Sequence, residues 1–277
     1  PRHRPKNHTK KKNEPTPTTK NQLKKEKTPP QTLQRNQTTT KRHQTRIKSP
    51  KHTTIPMSTI NNERDLLMIP GPTIVSPRVL RALAKPVLSH VSNEFVTGYA
   101  EALSLQKQIF GTNGTPFLLA GSGTLGMEAA IANLMEKGDK VLCVENGYFG
   151  EKWEEIVETH GGVVDRLRFN WGDPVDIKMI KEKLDTNEHK LFTVEHVDTS
   201  TGIANPIKEI GELRKNTDAL YIVDSVCGLG GMPLKMDQWN IDYCLTGSQK
   251  ALGAPPGISN FCLNQTAWQT IENRKTP

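Results

Sequence analysis

The chain has 277 residues and a formal net charge of +8, room for one large domain or two small ones. The charge is uneven: residues 1–56 hold 16 Lys and Arg against 2 Asp and Glu, which leaves 21 basic and 27 acidic residues for the rest. No apolar run reaches about 18 residues, so no membrane span is expected, and Cys143, Cys227, Cys244 and Cys262 form no C-x-x-C pair of the kind that signals a metal or redox centre.

The cysteines read as reduced core thiols of a cytoplasmic protein, three of them inside apolar runs. Residues 1–56 contain Leu23, Leu33, Ile47 and Ile55 as their only aliphatic side chains, and no Phe, Tyr or Trp precedes Phe95. Such a segment cannot bury enough apolar surface to offset its ordering entropy. It is expected to be a disordered basic tail, or sequence upstream of the natural start, since the first Met is Met57. Nucleic acid is expected as a partner only through this tail, by charge. Neither a secretory signal nor an Arg-rich amphipathic presequence is expected.

Residues 57–75 read as an N-terminal arm with a Pro70-Gly71-Pro72 turn, and residues 76–277 as the folded domain. Ser76-Pro77 predicts an N-cap and first-turn proline for a helix over Arg78–Lys85. Further helices are expected over Gly98–Phe110, Met127–Lys137, Glu151–His160, Asp176–Leu184 and Pro206–Asn216. Between them lie strand-like runs: Pro116–Ala120, Lys140–Glu145, Val163–Phe169, Lys190–Glu195, Leu220–Asp224, Ile241–Thr246 and Ile258–Leu263. Several of these are continuously apolar, which suits strands covered on both faces. The expected fold is therefore α/β, a mostly parallel sheet with helices on each side. Ligands in such sheets gather at the carboxyl ends of the strands.

At one of those ends stands LLAGSGTLGMEAA, Leu118 to Ala130. Its glycines fit G-x-G-x-x-G, and the next strand ends at Glu145, near the spacing of a ribose-binding carboxylate. A nicotinamide dinucleotide of a dehydrogenase is one reading. A cup for a single phosphate, built from backbone N–H groups and the hydroxyls of Ser122 and Thr124, is another. A tight turn with no ligand is the third.

Asp224 ends the apolar strand LYIVD, and Lys250 follows another strand in a Gly-Ser-Gln turn. Each alone reads as a pairing or solvent-facing charge. Together with a phosphate cup they fit pyridoxal phosphate, which needs a Schiff-base lysine, an acid facing its ring nitrogen, a phosphate seat and an aromatic face. Lys250, Asp224, Ser122-Gly123-Thr124 and Phe149 or Tyr148 supply these.

MIPGPT, AGSGTLGMEAA, DTSTGIANP, VDSVCGLGG and SQKALGAPPG occur in that order and resemble the class-V aminotransferases, in the alanine–glyoxylate, serine–glyoxylate and serine–pyruvate branch. The resemblance covers about residues 64–277. It implies the large domain of fold-type I pyridoxal-phosphate enzymes, with a seven-stranded, mostly parallel sheet, and a homodimer with sites at the interface. It implies transfer of an amino group from alanine or serine to glyoxylate or pyruvate, by a ping-pong Schiff-base mechanism. Aspartate and phosphoserine aminotransferases and cysteine desulfurases share the fold. By the same resemblance Lys250 is the Schiff-base lysine, and Asp224 faces the ring nitrogen. Ser122, Gly123 and Thr124 bind the phosphate with Gln249, and Thr199 bonds near the ring oxygen. Phe149 stacks on the ring, where relatives often have Trp, and Val226 packs on its other face. Pro70 and Gly71 line the substrate-carboxylate pocket. His90 and His196 are expected to be structural, and His189 to face solvent.

The chain ends 27 residues after Lys250. The resemblance places a small C-terminal domain there, carrying the arginine that clamps the substrate carboxylate. Arg274 lies too near Lys250 in sequence to be that arginine, so the chain is expected to be a fragment.

Overall fold

A computed structural model describes residues 66–275. The basic tail and the first part of the arm lie outside the described residues. Helix α1 spans Pro77–Leu83, with Ser76 capping it and proline in its first turn. Helix α2 spans Asn93–Phe110, one turn longer at its start than the apolar pattern predicts. Ser92 sets that start, accepting a hydrogen bond from the Phe95 N–H at 3.2 Å. Gly111 ends the helix in the left-handed region.

The sheet contains β1 (Thr115–Ala120), β2 (Lys140–Glu145), β3 (Val163–Arg168), β4 (Leu191–Glu195), β5 (Leu220–Asp224), β6 (Tyr243–Gly247) and β7 (Ile258–Leu263). Each lies within two residues of its sequence-based bounds. The intervening helices are α3 (Gly123–Leu134), α4 (Tyr148–Thr159), α5 (Ile177–Leu184) and α6 (Ile207–Leu213), the last continued by a 3-10 turn over Arg214–Asn216. Helix α7, Gln265–Glu272, was not legible in the pattern; Asn264 caps it through the Ala267 N–H.

The strand order is β1-β7-β6-β5-β4-β2-β3. Strand β7 is antiparallel to both neighbours, and the other pairs are parallel. Two reversals bring β1 back to the direction of β6, so its carboxyl end lies on the same edge as theirs. The continuous apolar runs now have their reason. Leu142, Val144, Phe192, Val194, Tyr221 and Val223 enter one core with α5 and α6. The alternate residues Val141, Cys143, Leu191, Leu220 and Ile222 enter a second core with α3 and α4. Each fully buried large side chain contributes about 1.5–3 kcal/mol. Two filled faces leave loops only at the strand ends, and the loops at the carboxyl edge carry the candidate site.

Among the described residues no helix is long and apolar enough to cross a membrane. All four cysteines are free, and Cys227 alone is half-exposed. It lies outside both cores, against the expectation of four core thiols.

Candidate active site

Strand β6 ends at Gly247, and the following turn buries Lys250, 8 % exposed. Its Nζ donates to Thr199 Oγ1 at 3.3 Å, and it makes no ion pair among the described residues. Thr199 follows β4 and shares a second hydrogen bond with Cys227 Sγ at 2.8 Å. A buried amine with one long hydrogen bond and no carboxylate attached is poised for a ligand rather than for structure.

Asp224 closes β5, 1 % exposed. Burial is the main cause that raises its carboxyl to about pKa 7. The Val226 N–H opposes the shift through a 2.7 Å hydrogen bond to Oδ1, the charge of Asp198 adds to it, and Lys250 and Glu195 pull it down. An acid held near neutrality in this way suits exchange of a proton with a ring nitrogen.

The glycine turn after β1 opens α3. Ser122 stands at the N-cap, but its hydroxyl makes no cap bond, so it and the first amides of α3 remain for an anion. Gly123 meets Val226: a Cβ there would stand 2.7 Å from Val226 Cγ2. Thr124 is half-buried in the first turn of α3. Phe149 lies in the first turn of α4, half-buried, with Tyr148 edge-on at 5.1 Å between ring centres. Its N–H donates to Asp198 Oδ2 at 3.0 Å.

The arm closes the site from above. Thr73 Oγ1 donates to the Lys250 carbonyl at 2.8 Å, and Thr73 N–H donates to the Gln249 carbonyl at 2.8 Å. Gly71 lies so near the lysine that a Cβ would stand 2.6 Å from Lys250 Cδ and 2.8 Å from Cε. Pro70 is exposed beside it. The Gln249 side chain crowds Gly247, whose added Cβ would meet its Oε1 at 2.6 Å. An amine, a near-neutral acid, an uncapped helix start and an aromatic ring thus converge on one edge, the donor set that pyridoxal phosphate requires.

The family model for class-V aminotransferases matches residues 72–276. The chain belongs to that family. It is 45 % identical over 214 residues to an uncharacterized aminotransferase of Methanocaldococcus jannaschii, covering 77 % of this chain and 56 % of that protein. It is 38 % identical to alanine–glyoxylate aminotransferase 1 of Saccharomyces cerevisiae, covering 70 % and 53 %. The crystal structure of an alanine–glyoxylate aminotransferase from Nostoc sp. superposes with a TM-score of 0.76 at 32 % identity, over 80 % of this chain and 59 % of that one. The chain therefore spans a little over half the length of these class-V relatives.

The dinucleotide reading of the glycine turn fails on topology. A dinucleotide unit needs the strand before the turn and the next strand as parallel neighbours. Here β7, β6, β5 and β4 separate β1 from β2. Glu145, the would-be ribose ligand, instead bonds Arg168 Nε at 2.6 Å and Trp171 Nε1 at 3.2 Å.

His189 also departs from expectation. It is buried, its Nε2 3.0 Å from Asp165 Oδ2. Asp165 on β3 also takes Lys183 at 2.8 Å, so the polar turn folds inward onto a carboxylate. His196 is buried against Ser225 Oγ at 2.8 Å, and burial lowers its pKa to about 4, so it is neutral. His90 is exposed. Arg274 reaches the carbonyl of Ala132 near the far end of α3.

Sequence reasoning missed Thr73, Glu195, Asp198 and Cys227. Thr73 carried a signal, since it completes IPGPT. Glu195 and Asp198 bracket the same strand end that drew attention to Thr199. Cys227 is scarcely separable by pattern from the core thiols.

Proposed function

We propose that this chain is the cofactor-holding part of a pyridoxal-phosphate-dependent aminotransferase. The amino donor is a small amino acid, alanine or serine, and the acceptor glyoxylate or pyruvate. The observation that carries the reading is the Lys250 amine, buried with no ion pair among the described residues, at the edge where β5 ends at Asp224 and α3 begins. The named activities of the yeast and Nostoc relatives favour alanine and glyoxylate as the pair.

When bound, the cofactor supplies an electron sink for the pair left by the breaking Cα–H bond. Lys250 Nζ would hold the cofactor and would take up the proton of the substrate Cα. Asp224 would face the ring nitrogen and hold a proton there. Ser122, Gly123 and Thr124, with Gln249, receive the phosphate at the positive end of α3. Phe149 and Val226 bound the two ring faces, and Thr199 orients Lys250. Gly71 packs against Lys250, and with Pro70 it would line the pocket for the substrate carboxylate.

Apolar side chains are exposed along residues 66–109, among them Met68 at 83 % and Val87 at 99 %, and exposed apolar surface of this kind is what protein interfaces cover. They support a homodimer. Free cysteines fit a reducing compartment such as the cytoplasm.

The test is borohydride reduction of the purified chain with added pyridoxal phosphate. A loss of visible absorbance and a reduced adduct on Lys250, located by mass spectrometry, are expected. An adduct mainly on another lysine overturns the assignment. Half-reactions of the loaded protein with alanine, serine and aspartate then rank the donors, with alanine or serine expected to react faster.

A further inference from the structure

Asp224 is not alone at its strand end. Glu195 closes β4 as Asp224 closes β5, and the two stand opposite each other in the parallel register. Both side chains are buried, side by side on neighbouring strands. Two buried carboxyl groups held side by side repel each other when both are ionised, so one of them keeps a proton, and that proton can be donated to the other.

Trp153 decides where that proton sits. Its indole N–H donates to Glu195 Oε1 at 2.9 Å, and an indole nitrogen is a donor only. Oε1 is thus an acceptor, and Oε2 is left to carry the proton toward Asp224. Asp224 meanwhile accepts the Val226 N–H on Oδ1.

The surrounding charges point the same way. Burial, then the charges of Asp224 and Asp198, push Glu195 well above the usual carboxylate range, while the Trp153 bond pulls it down. Asp198 has its own donors, the Phe149 N–H at 3.0 Å, the Ser200 N–H at 2.7 Å and the Ser200 hydroxyl at 2.5 Å. Its oxygens are thus already engaged by donors outside the Glu195–Asp224 pair. Cys227 adds a weak repulsion to Glu195, and Lys250 acts on Asp224. Glu145, which ends the neighbouring β2, turns away to Arg168. No cation reaches Glu195 among the described residues.

We propose that Glu195 is a positioning residue: a neutral carboxylic acid that donates its proton to Asp224, fixes the orientation of that carboxyl group and limits the pair to at most one negative charge. A donor on Asp224 weakens it as a base. Glu195 thereby tunes how firmly Asp224 holds the ring-nitrogen proton. This last step rests on the proposed cofactor role of Asp224; the shared proton does not.

The test has two parts. The first uses the chain without cofactor. Infrared difference spectra at about pH 8, above the value of about 7 at which Asp224 loses its own proton, should contain the carbonyl stretch of a buried protonated carboxylic acid, lost in Glu195→Gln. The Trp153 indole N–H resonance, assigned with Trp153→Phe, should follow only the loss of the Asp224 proton at about 7 and show no second step up to about pH 9. Absence of the band, or its survival in Glu195→Gln, overturns the proposal.

The second part uses the cofactor-loaded protein. The amide of Glu195→Gln donates to Asp224 while its carbonyl accepts from Trp153, so cofactor affinity should stay within about threefold. Glu195→Leu has no donor and should change that affinity by about tenfold or more, and move the pH dependence of the bound cofactor's absorbance. Equal behaviour of the two variants overturns the tuning role. Failure of the wild-type chain to load Lys250 would sink the proposed function and leave the infrared result standing.

Discussion

Thr73 and Lys250 are 177 residues apart in sequence, yet the Thr73 hydroxyl donates to the Lys250 carbonyl at 2.8 Å. The Thr73 backbone N–H adds a second bond, to the Gln249 carbonyl. The arm is thereby fastened to the turn that carries the amine.

Replacing Thr73 by Val keeps the shape and the backbone bond and removes the hydroxyl. A loss of about 1 kcal/mol is expected, measured by urea unfolding. The more telling readout is borohydride labelling of Lys250, which should fall at limiting pyridoxal phosphate because the turn loosens. Unchanged labelling together with unchanged stability would mean that the arm does not hold the lysine turn.

Gly71→Ala tests the same contact from the other side. The new Cβ would crowd Lys250 Cδ and Cε, and the lysine chain must swing aside. Gly71 sits in the half-exposed arm, so the melting temperature should hardly move. Lys250 labelling should drop by about tenfold, equivalent to about 1.4 kcal/mol of displaced geometry.

Much of this edge is legible in the sequence. The strands stood out because residues facing two cores leave no polar alternation, as in LYIVD, where Tyr221 and Val223 face one core and Leu220 and Ile222 the other. Lys250 and Asp224 stood out because charges at the ends of such strands need partners. The strand order was not legible, because pairing of β1 with β7 joins Thr115 to Leu263, and no local pattern encodes so distant a contact. That pairing was also what removed the dinucleotide reading. His189 was misread because its polar neighbours suggested solvent, whereas its partner Asp165 lies on another strand. Glu195 passed as an ordinary polar strand end until Trp153 and Asp224 were seen to enclose it.

Asp224 gives a pH dependence with a definite sign. In the folded chain without cofactor its carboxyl keeps a proton up to about pH 7, whereas its ordinary value is 3.8. Between those values the folded state binds more protons than the unfolded state, so stability falls as pH rises through the window. Glu195, also raised, contributes in the same direction. Urea unfolding across this range should give the falling trend. Asp224→Asn, which cannot titrate, should remove up to about 1.4 kcal/mol per pH unit from the slope. A variant slope equal to the wild-type one would show that Asp224 is ionised throughout.

Asp198 carries the last prediction. Helix α4 begins at Tyr148 behind Gly147, which has no side chain to cap it. Asp198 supplies the cap from another loop, accepting the Phe149 N–H on Oδ2, and its Oδ1 ties down Ser200. The close approach requires glycine at 147, where a Cβ would stand 2.2 Å from Asp198 Cγ. Asp198→Ala should therefore cost about 1–2 kcal/mol, and Gly147→Ala at least as much, by expelling the same carboxylate. Both should raise hydrogen exchange at the Tyr148 and Phe149 amides while those of β4 and β5 stay protected. Because Phe149 is the ring proposed to cover the cofactor, both should also weaken pyridoxal phosphate binding by several-fold. Exchange that rises evenly across the domain would instead assign Asp198 to general stability, with no special hold on Phe149.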